Sequence, residues 1–126
     1  MRITINPDAE ISGFGYVEAG PYRLRVIKVD QQQGKKAPYL KWEFELTDPN
    51  IKATDGKSMP GHIFDNTTLK PEAQFALRAV VEGLGLAWED FDTEAAIGLE
   101  LDVQLKIKEY EGTFSNEISR VIPIKS

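Results

Sequence analysis

"KPEAQFALRAVVEGLGL", Lys70 to Leu86, carries the change of period on which the fold turns. Leu77, Val80, Val81 and Leu84 fall at i, i+3, i+4 and i+7, the single apolar stripe of an amphipathic helix. Pro71 suits a first helical turn, where its missing N–H leaves nothing unpaired, and Glu72 there complements the helix dipole. Gly83 and Gly85 supply the stop. On either side of this stretch the apolar residues alternate instead. One helix therefore interrupts a run of strands, and its place in that run selects the architecture.

Upstream, "GPYRLRVIKVD" from Gly20 sets Tyr22, Leu24 and Val26 against Arg23 and Arg25, the alternation of a half-buried strand. The alternation slips at Ile27 and resumes in the other phase at Val29, as a β-bulge requires. "YLKWEFELTD" from Tyr39 places Leu40, Trp42, Phe44 and Leu46 on one face and Tyr39, Lys41, Glu43 and Glu45 on the other. "DPNIKATDGKSMPG" is a loop by its turn formers, and "HIFDNTTL" from His62 is a third strand. Downstream, "FDTEAAIG" reads as one short helical turn capped by Asp92 or Thr93. "LELDVQLKIKEYEGTFSNEISRVIPI" from Leu99 is a hairpin turning at Gly112. Leu99, Leu101, Val103, Leu105 and Ile107 form one row of its first strand, while Asn116 and Arg120 interrupt the pattern of the second.

The order is three strands, a helix and two strands. That is the order of a mainly β, five-stranded Greek-key barrel of the oligonucleotide/oligosaccharide-binding (OB) type, with its helix between strands three and four. A β-sandwich or an open sheet with one helix shares the same linear string. Residues 1–126 read as one domain, with 1–19 an arm or short edge strand.

Composition narrows the function classes. The chain has no cysteine, which removes disulfides, thiolate metal sites and thiol nucleophiles. The start, "MRITINPDAEISGFG", lacks the apolar run of a secretory signal, and no stretch is long and apolar enough to span a bilayer. The expectation is a soluble, cytoplasmic protein with no membrane partner. With 20 acidic and 15 basic residues and a net charge of −5, the whole molecule repels polyanions at long range. Any nucleic-acid site must gather its cations on one face.

Signals for catalysis are weak. His62 is the single histidine and has no nucleophile nearby in the sequence. Asp90 and Asp92 lack a histidine partner, no spacing suits a metal, and "GFG" and "GLG" lack the strand, lysine and helix of a phosphate loop. No enzyme, cofactor or metal is expected.

Single-strand binding fits better, since it needs cations to follow phosphates and aromatic faces on which bases stack. In an OB barrel the ligand lies across strands two and three, flanked by the loop joining strands one and two and the loop joining four and five. The first loop, "QQQGKKAP", carries Lys35 and Lys36; the second, "KEYEGTFS", carries Tyr110 and Phe114 near Lys106 and Lys108. Tyr39 and Lys41 lie on the outward face of strand two. The candidate nucleic-acid-binding residues are therefore Lys35, Lys36, Tyr39, Lys41, Lys106, Lys108, Tyr110 and Phe114. Trp42 and Phe44 belong to the core row. Phe64 stacks or is buried according to a register the sequence leaves open. Arg23 and Arg25 face outward and either join a basic surface or balance Glu43 and Glu45 on the neighbouring strand.

Taken together, "AGPYRLRVIKVD", "YLKWEFEL", "FDNTTLKPEAQFALRAVVEGLGL", "FDTEAAIGLELDVQL" and "KEYEGTFSNEISRVIP" resemble a family of small bacteriophage proteins of replication and recombination modules. That family includes single-stranded-DNA-binding proteins of the same barrel type, and the similarity runs from about Ala19 to Pro123. The resemblance implies a protein that coats single-stranded DNA in the host bacterial cytoplasm, without sequence preference and alongside phage or host replication and recombination proteins. A homo-oligomer fits, because one small barrel covers few nucleotides. Many such binders recruit partners through an acidic tail, whereas "RVIPIKS" here is not acidic, so recruitment of that kind is not expected. Two rival classes stand beside this reading. One is a protein-binding module of a phage complex, or an inhibitor of a host factor, working through Glu43, Glu45, Glu100 and Asp102. The other is an oligosaccharide binder that uses aromatic platforms without the lysines.

Overall fold

The computed structural model describes residues 14–123 except Lys57; the side chains of Phe14 and Tyr110 also lie outside the description. Of the arm expected over residues 1–19, the first 13 fall outside the described residues. Its end forms β1 (Phe14–Gly15). Then come β2 (Gly20–Gln33), β3 (Pro38–Leu46), β4 (Met59–Pro60) and β5 (Ile63–Thr68). Two short helices follow, α1 (Phe75–Gly83) and α2 (Thr93–Ala96), and the long hairpin β6 (Glu100–Tyr110) and β7 (Thr113–Val121) completes the order. No helix among the described residues is long and apolar enough to cross a membrane.

The fold is mainly β: a five-stranded antiparallel open sheet in the order β5-β3-β2-β6-β7. The edge strands β5 and β7 approach within 8 Å at their Cα atoms, with no ladder between them. A separate two-stranded sheet pairs β1 with β4 in parallel, Phe14 opposite Met59 and Gly15 opposite Pro60.

The slip expected at Ile27 is a bulge. Val26 pairs with Phe44 and Lys28 with Glu43, so Ile27 has no opposite number on β3. Before the bulge β2 pairs with both β3 and β6; after it, β2 pairs with β3 alone. Val26 donates its N–H to Leu99 (2.9 Å) and accepts from Gly98 (2.8 Å), and the β2–β6 register ends at Arg25.

Leu24, Val26, Leu40, Trp42, Phe44, Ile63, Leu101, Val103 and Leu105 line the inner face, and the helical stripe of Leu77, Val80, Val81 and Leu84 covers them. Trp42 and Phe44 are fully buried, as the alternation of β3 demands, with rings stacked at 5.8 Å. Burying side chains of this size is worth about 1.5–3 kcal/mol each. The Trp42 Nε1–H donates to Thr67 Oγ1 at 2.8 Å, so a threonine occupies the inner row of β5 without leaving a buried polar atom unpaired.

The helix begins later than its sequence suggests. Pro71 opens a 3₁₀ turn over Pro71–Ala73, and α1 starts at Phe75 after the Gln74 side chain has donated to the Leu69 carbonyl at 2.8 Å. The two glycines at its end divide the work. Gly85, at φ 85°, is the left-handed stop: its N–H donates to Glu82 O and that of Leu86 to Val81 O. Gly83 is still helical and buried, and a Cβ there would fall 2.6 Å from Val121 Cγ1, so its hydrogen is what lets the helix reach β7. Asp92, rather than Thr93, caps α2 by accepting from the Glu94 N–H at 3.0 Å.

Candidate nucleic-acid interface

Antiparallel register fixes what stands beside what on the outer face of the sheet. Across β3 and β5, Tyr39 lies opposite Thr68, Lys41 opposite Asn66, and Glu43 opposite Phe64. Ile63 and Thr67 point inward, so Phe64 is turned out and is 49% exposed. The Lys41 ammonium sits 5.6 Å from the Phe64 ring centroid, a cation–π approach on the surface. Tyr39 is half-buried in the same outer row as Lys41. Phe64, which sequence alone left undecided between stacking and burial, is thus exposed on the same face as Tyr39 and Lys41.

The loop that carries Lys35 and Lys36 is shorter than the sequence suggests. Gln31–Gln33 belong to β2 and Pro38 to β3, leaving Gly34–Ala37 as the connection, closed by the Gly34 N–H to Ala37 O at 3.2 Å. Both lysines are exposed at its centre. Lys35, Lys36 and Lys41 form no salt bridge with any described residue.

The hairpin is arranged differently. Lys106 and Lys108 both reach Glu117, at 3.3 and 3.9 Å, so one carboxylate lies between the two cations. Phe114 pairs with Glu109 in the ladder and shares its row with Ile107, opposite in face to Lys106 and Lys108. Its ring rests against Tyr16 at 5.4 Å and remains 46% exposed. Tyr110 pairs with Thr113 through the backbone, and its side chain lies outside the described residues. The turn between them places Glu111 at φ 50° and Gly112 at φ 81°, the two positive angles that a two-residue hairpin turn favours. Asn116 breaks the apolar pattern because its amide acts as a strand partner: it accepts the Val17 N–H at 2.7 Å and donates to the Val17 carbonyl at 3.0 Å. Ser119 is a second bulge residue, between the Gln104–Arg120 and Leu105–Ile118 pairs.

Arg23 and Arg25 are spent on ion pairs. Arg23 grips Asp102 through two bonds of 3.0 Å and reaches Glu100 at 3.5 Å. Arg25 holds Glu45 at 2.9 Å and Glu100 at 3.2 Å. Hydrogen bonding to Asp102 in the first case and to Glu45 in the second raises each guanidinium's pKa further. Glu43 is not among their partners. It takes His62 instead, Nδ1 to Oε2 at 2.6 Å. On the inner side of β5, burial pushes the Asp65 carboxyl up, the Asn66 N–H opposes that, and the Glu117 charge on β7 adds to it.

Six of the eight expected residues lie in ladders, Tyr39 and Lys41 on β3 and Lys106, Lys108, Tyr110 and Phe114 on the β6–β7 hairpin, and Lys35 and Lys36 stand in the turn at the β2–β3 end. Lys106 and Lys108 share one outer row with an intervening carboxylate, while Phe114 stands on the other side. Among the described residues no group of three or more acidic or histidine side chains is placed to hold a metal ion. No protein-family model matches the chain, and no curated protein is similar to it.

Proposed function

We propose that this protein binds single-stranded DNA without reading its sequence, and that it does so as a phage protein in replication or recombination within the bacterial cytoplasm. It acts by coating rather than by catalysis. The observation that carries the reading is the outer face of β3 and β5, where exposed Phe64 lies under Lys41, which forms no salt bridge among the described residues, with Tyr39 in the same row as Lys41. A flat aromatic ring, a cation beside it and two further lysines at the strand end are the parts that a stacked, phosphate-bearing strand needs. The strand order supports a Greek-key barrel of OB type closing between β5 and β7, in which this face is the ligand face. Lys106 and Lys108, with Tyr110 following them in β6, form the opposite lip, a secondary contribution because Glu117 neutralises part of its charge, whereas Phe114 stands on the other side of the hairpin. Most of the acidic surface that a protein-binding role would use is engaged in ion pairs within the sheet, since Glu45, Glu100 and Asp102 are held by arginines.

The test is a titration of fluorescent oligo-dT across salt concentrations. Neutralising three phosphates with Lys35, Lys36 and Lys41 gives a log–log salt slope of about −2. Absence of any anisotropy change at low salt overturns the proposal. Charge reversal at Lys35 and Lys36 that leaves an oligosaccharide bound but DNA unbound separates the sugar-binding alternative.

A further inference from the structure

His62 and Glu43 stand at the Phe64 end of the face just described, and their pairing has an electrical consequence. Glu43 lies directly opposite Phe64 on β5 and opposite Lys28 on β2, and it is separated from Lys41 by one inward-facing residue, Trp42. His62 precedes β5 by one residue and reaches back to Glu43 with a 2.6 Å contact. Both side chains keep contact with water, His62 at 44% and Glu43 at 27% exposure, so protons exchange freely. With neutral imidazole the couple carries one negative charge beside the exposed ring. With imidazolium it carries none.

We infer that the His62–Glu43 couple is a protonation-controlled element of the ligand surface, which admits a polyanion more readily once His62 has taken up a proton. The inference rests on the single-strand-binding reading. Imidazole is the side chain that ordinarily changes charge between pH 5 and 8, and this sequence contains only one. The surrounding charges do not mask the couple. On β3, Lys41 leans over Phe64 and Glu45 is held by Arg25. On β2, Lys28 pairs with Asp30 at 3.3 Å rather than with Glu43. From the loop before β4, Asp48 shares a shallow hollow of about 160 Å³ with His62 and Glu45, and accepts from the Asn50 N–H. On β5, the neighbours in the outer row are Phe64 and Asn66, neither charged. Glu43 is therefore the carboxylate that a phosphate near Phe64 meets, and His62 is the group placed to cancel it.

The coupling is reciprocal: if a proton favours the polyanion, the polyanion favours the proton. One charge removed at this range is expected to tighten binding about three- to tenfold between pH 8 and pH 5.5 at low salt. The salt slope should steepen by about 0.7, the share of one phosphate on a single strand. The experiment is a titration of fluorescent oligo-dT against the full chain at both pH values, for the natural protein, His62→Gln and Glu43→Gln. Glutamine at 62 can still donate to Glu43 but cannot become charged, so its affinity should be flat with pH. Glu43→Gln should bind more tightly than the natural protein at both values while keeping the pH response. A pH response that survives His62→Gln unchanged, or a Glu43→Gln affinity no higher than that of the natural protein, overturns the inference and leaves the binding reading standing. No binding by the natural protein at either pH overturns the reading itself.

Discussion

Two parts of the outer sheet face look alike in sequence and differ in the folded chain. Over β2 and β6, Arg23 and Arg25 alternate with apolar residues, and every one of these cations is consumed by Glu45, Glu100 or Asp102. Over β3 and β5, Lys41 occupies an equivalent outward position between Asp30 on β2 and Asn66 on β5, yet Asp30 pairs with Lys28, and Lys41 leans over the ring of Phe64 with no salt bridge among the described residues. Arginine's planar fork suits fixed, two-bonded carboxylate pairs, whereas a lysine ammonium is a mobile point charge. The first surface has satisfied itself. The second leaves its lysine and its aromatic ring open to water. Register across strands, not the number of basic residues, decides which surface can receive an anion.

That contrast can be broken most directly at Phe64. Phe64→Ala is expected to weaken oligonucleotide binding by about 5- to 160-fold, the equivalent of ~1–3 kcal/mol for a stacked base. Its thermal stability should hardly change, because the ring is exposed, and unchanged affinity in an anisotropy titration would remove the distinction between the two faces. Next in size, Lys35→Glu with Lys36→Glu should cost roughly tenfold in affinity at low salt and flatten the log–log salt slope by about 1.4. A third change probes the inner side of the same strands. Because burial raises the Asp65 carboxyl, the native state keeps a proton that the unfolded chain has released, and stability falls as pH rises through that window. Asp65→Asn should therefore be more stable than the natural protein at pH 7 in urea denaturation. The advantage should fade as pH drops below the ordinary value of 3.8. The smallest effect belongs to the satisfied face. Arg25→Ala should lower the unfolding midpoint slightly, more at low salt than at high, and leave DNA affinity within error.

Much of the strand plan could be read from alternation alone. The slip at Ile27 marked the bulge, the Trp42 and Phe44 row marked the inner face, and the stripe from Leu77 to Leu84 marked the helix side that packs. In each case one dominant force, apolar burial, writes a local pattern. β5 resisted because two forces compete in it. Phe64 faces water while Thr67 lies inside, an inversion explained only when Trp42 is seen to need an acceptor for its indole N–H. The fate of Arg23 was equally hidden, since its partner Asp102 is 79 residues away. Asn116 looked like a break in a strand and is instead the clasp that holds Val17. Of the candidate site, the lysines and Tyr39 were visible as residue types, but their neutralised or unneutralised state was not, because it depends on which strands become neighbours.

The extra residue at Ile27 has a mechanical meaning. Beyond it β2 is fastened along one side only, to β3, which is laddered in turn to β5 from Tyr39 to Phe44, so Lys28–Gln33 forms one edge of a three-stranded end of the sheet. The extra residue lets the strand turn away from β6 while its ladder with β3 continues. Lys35 and Lys36 stand in the turn that closes this end, so the basic charge sits out in water while Leu40 and Trp42 in the adjoining strand stay buried.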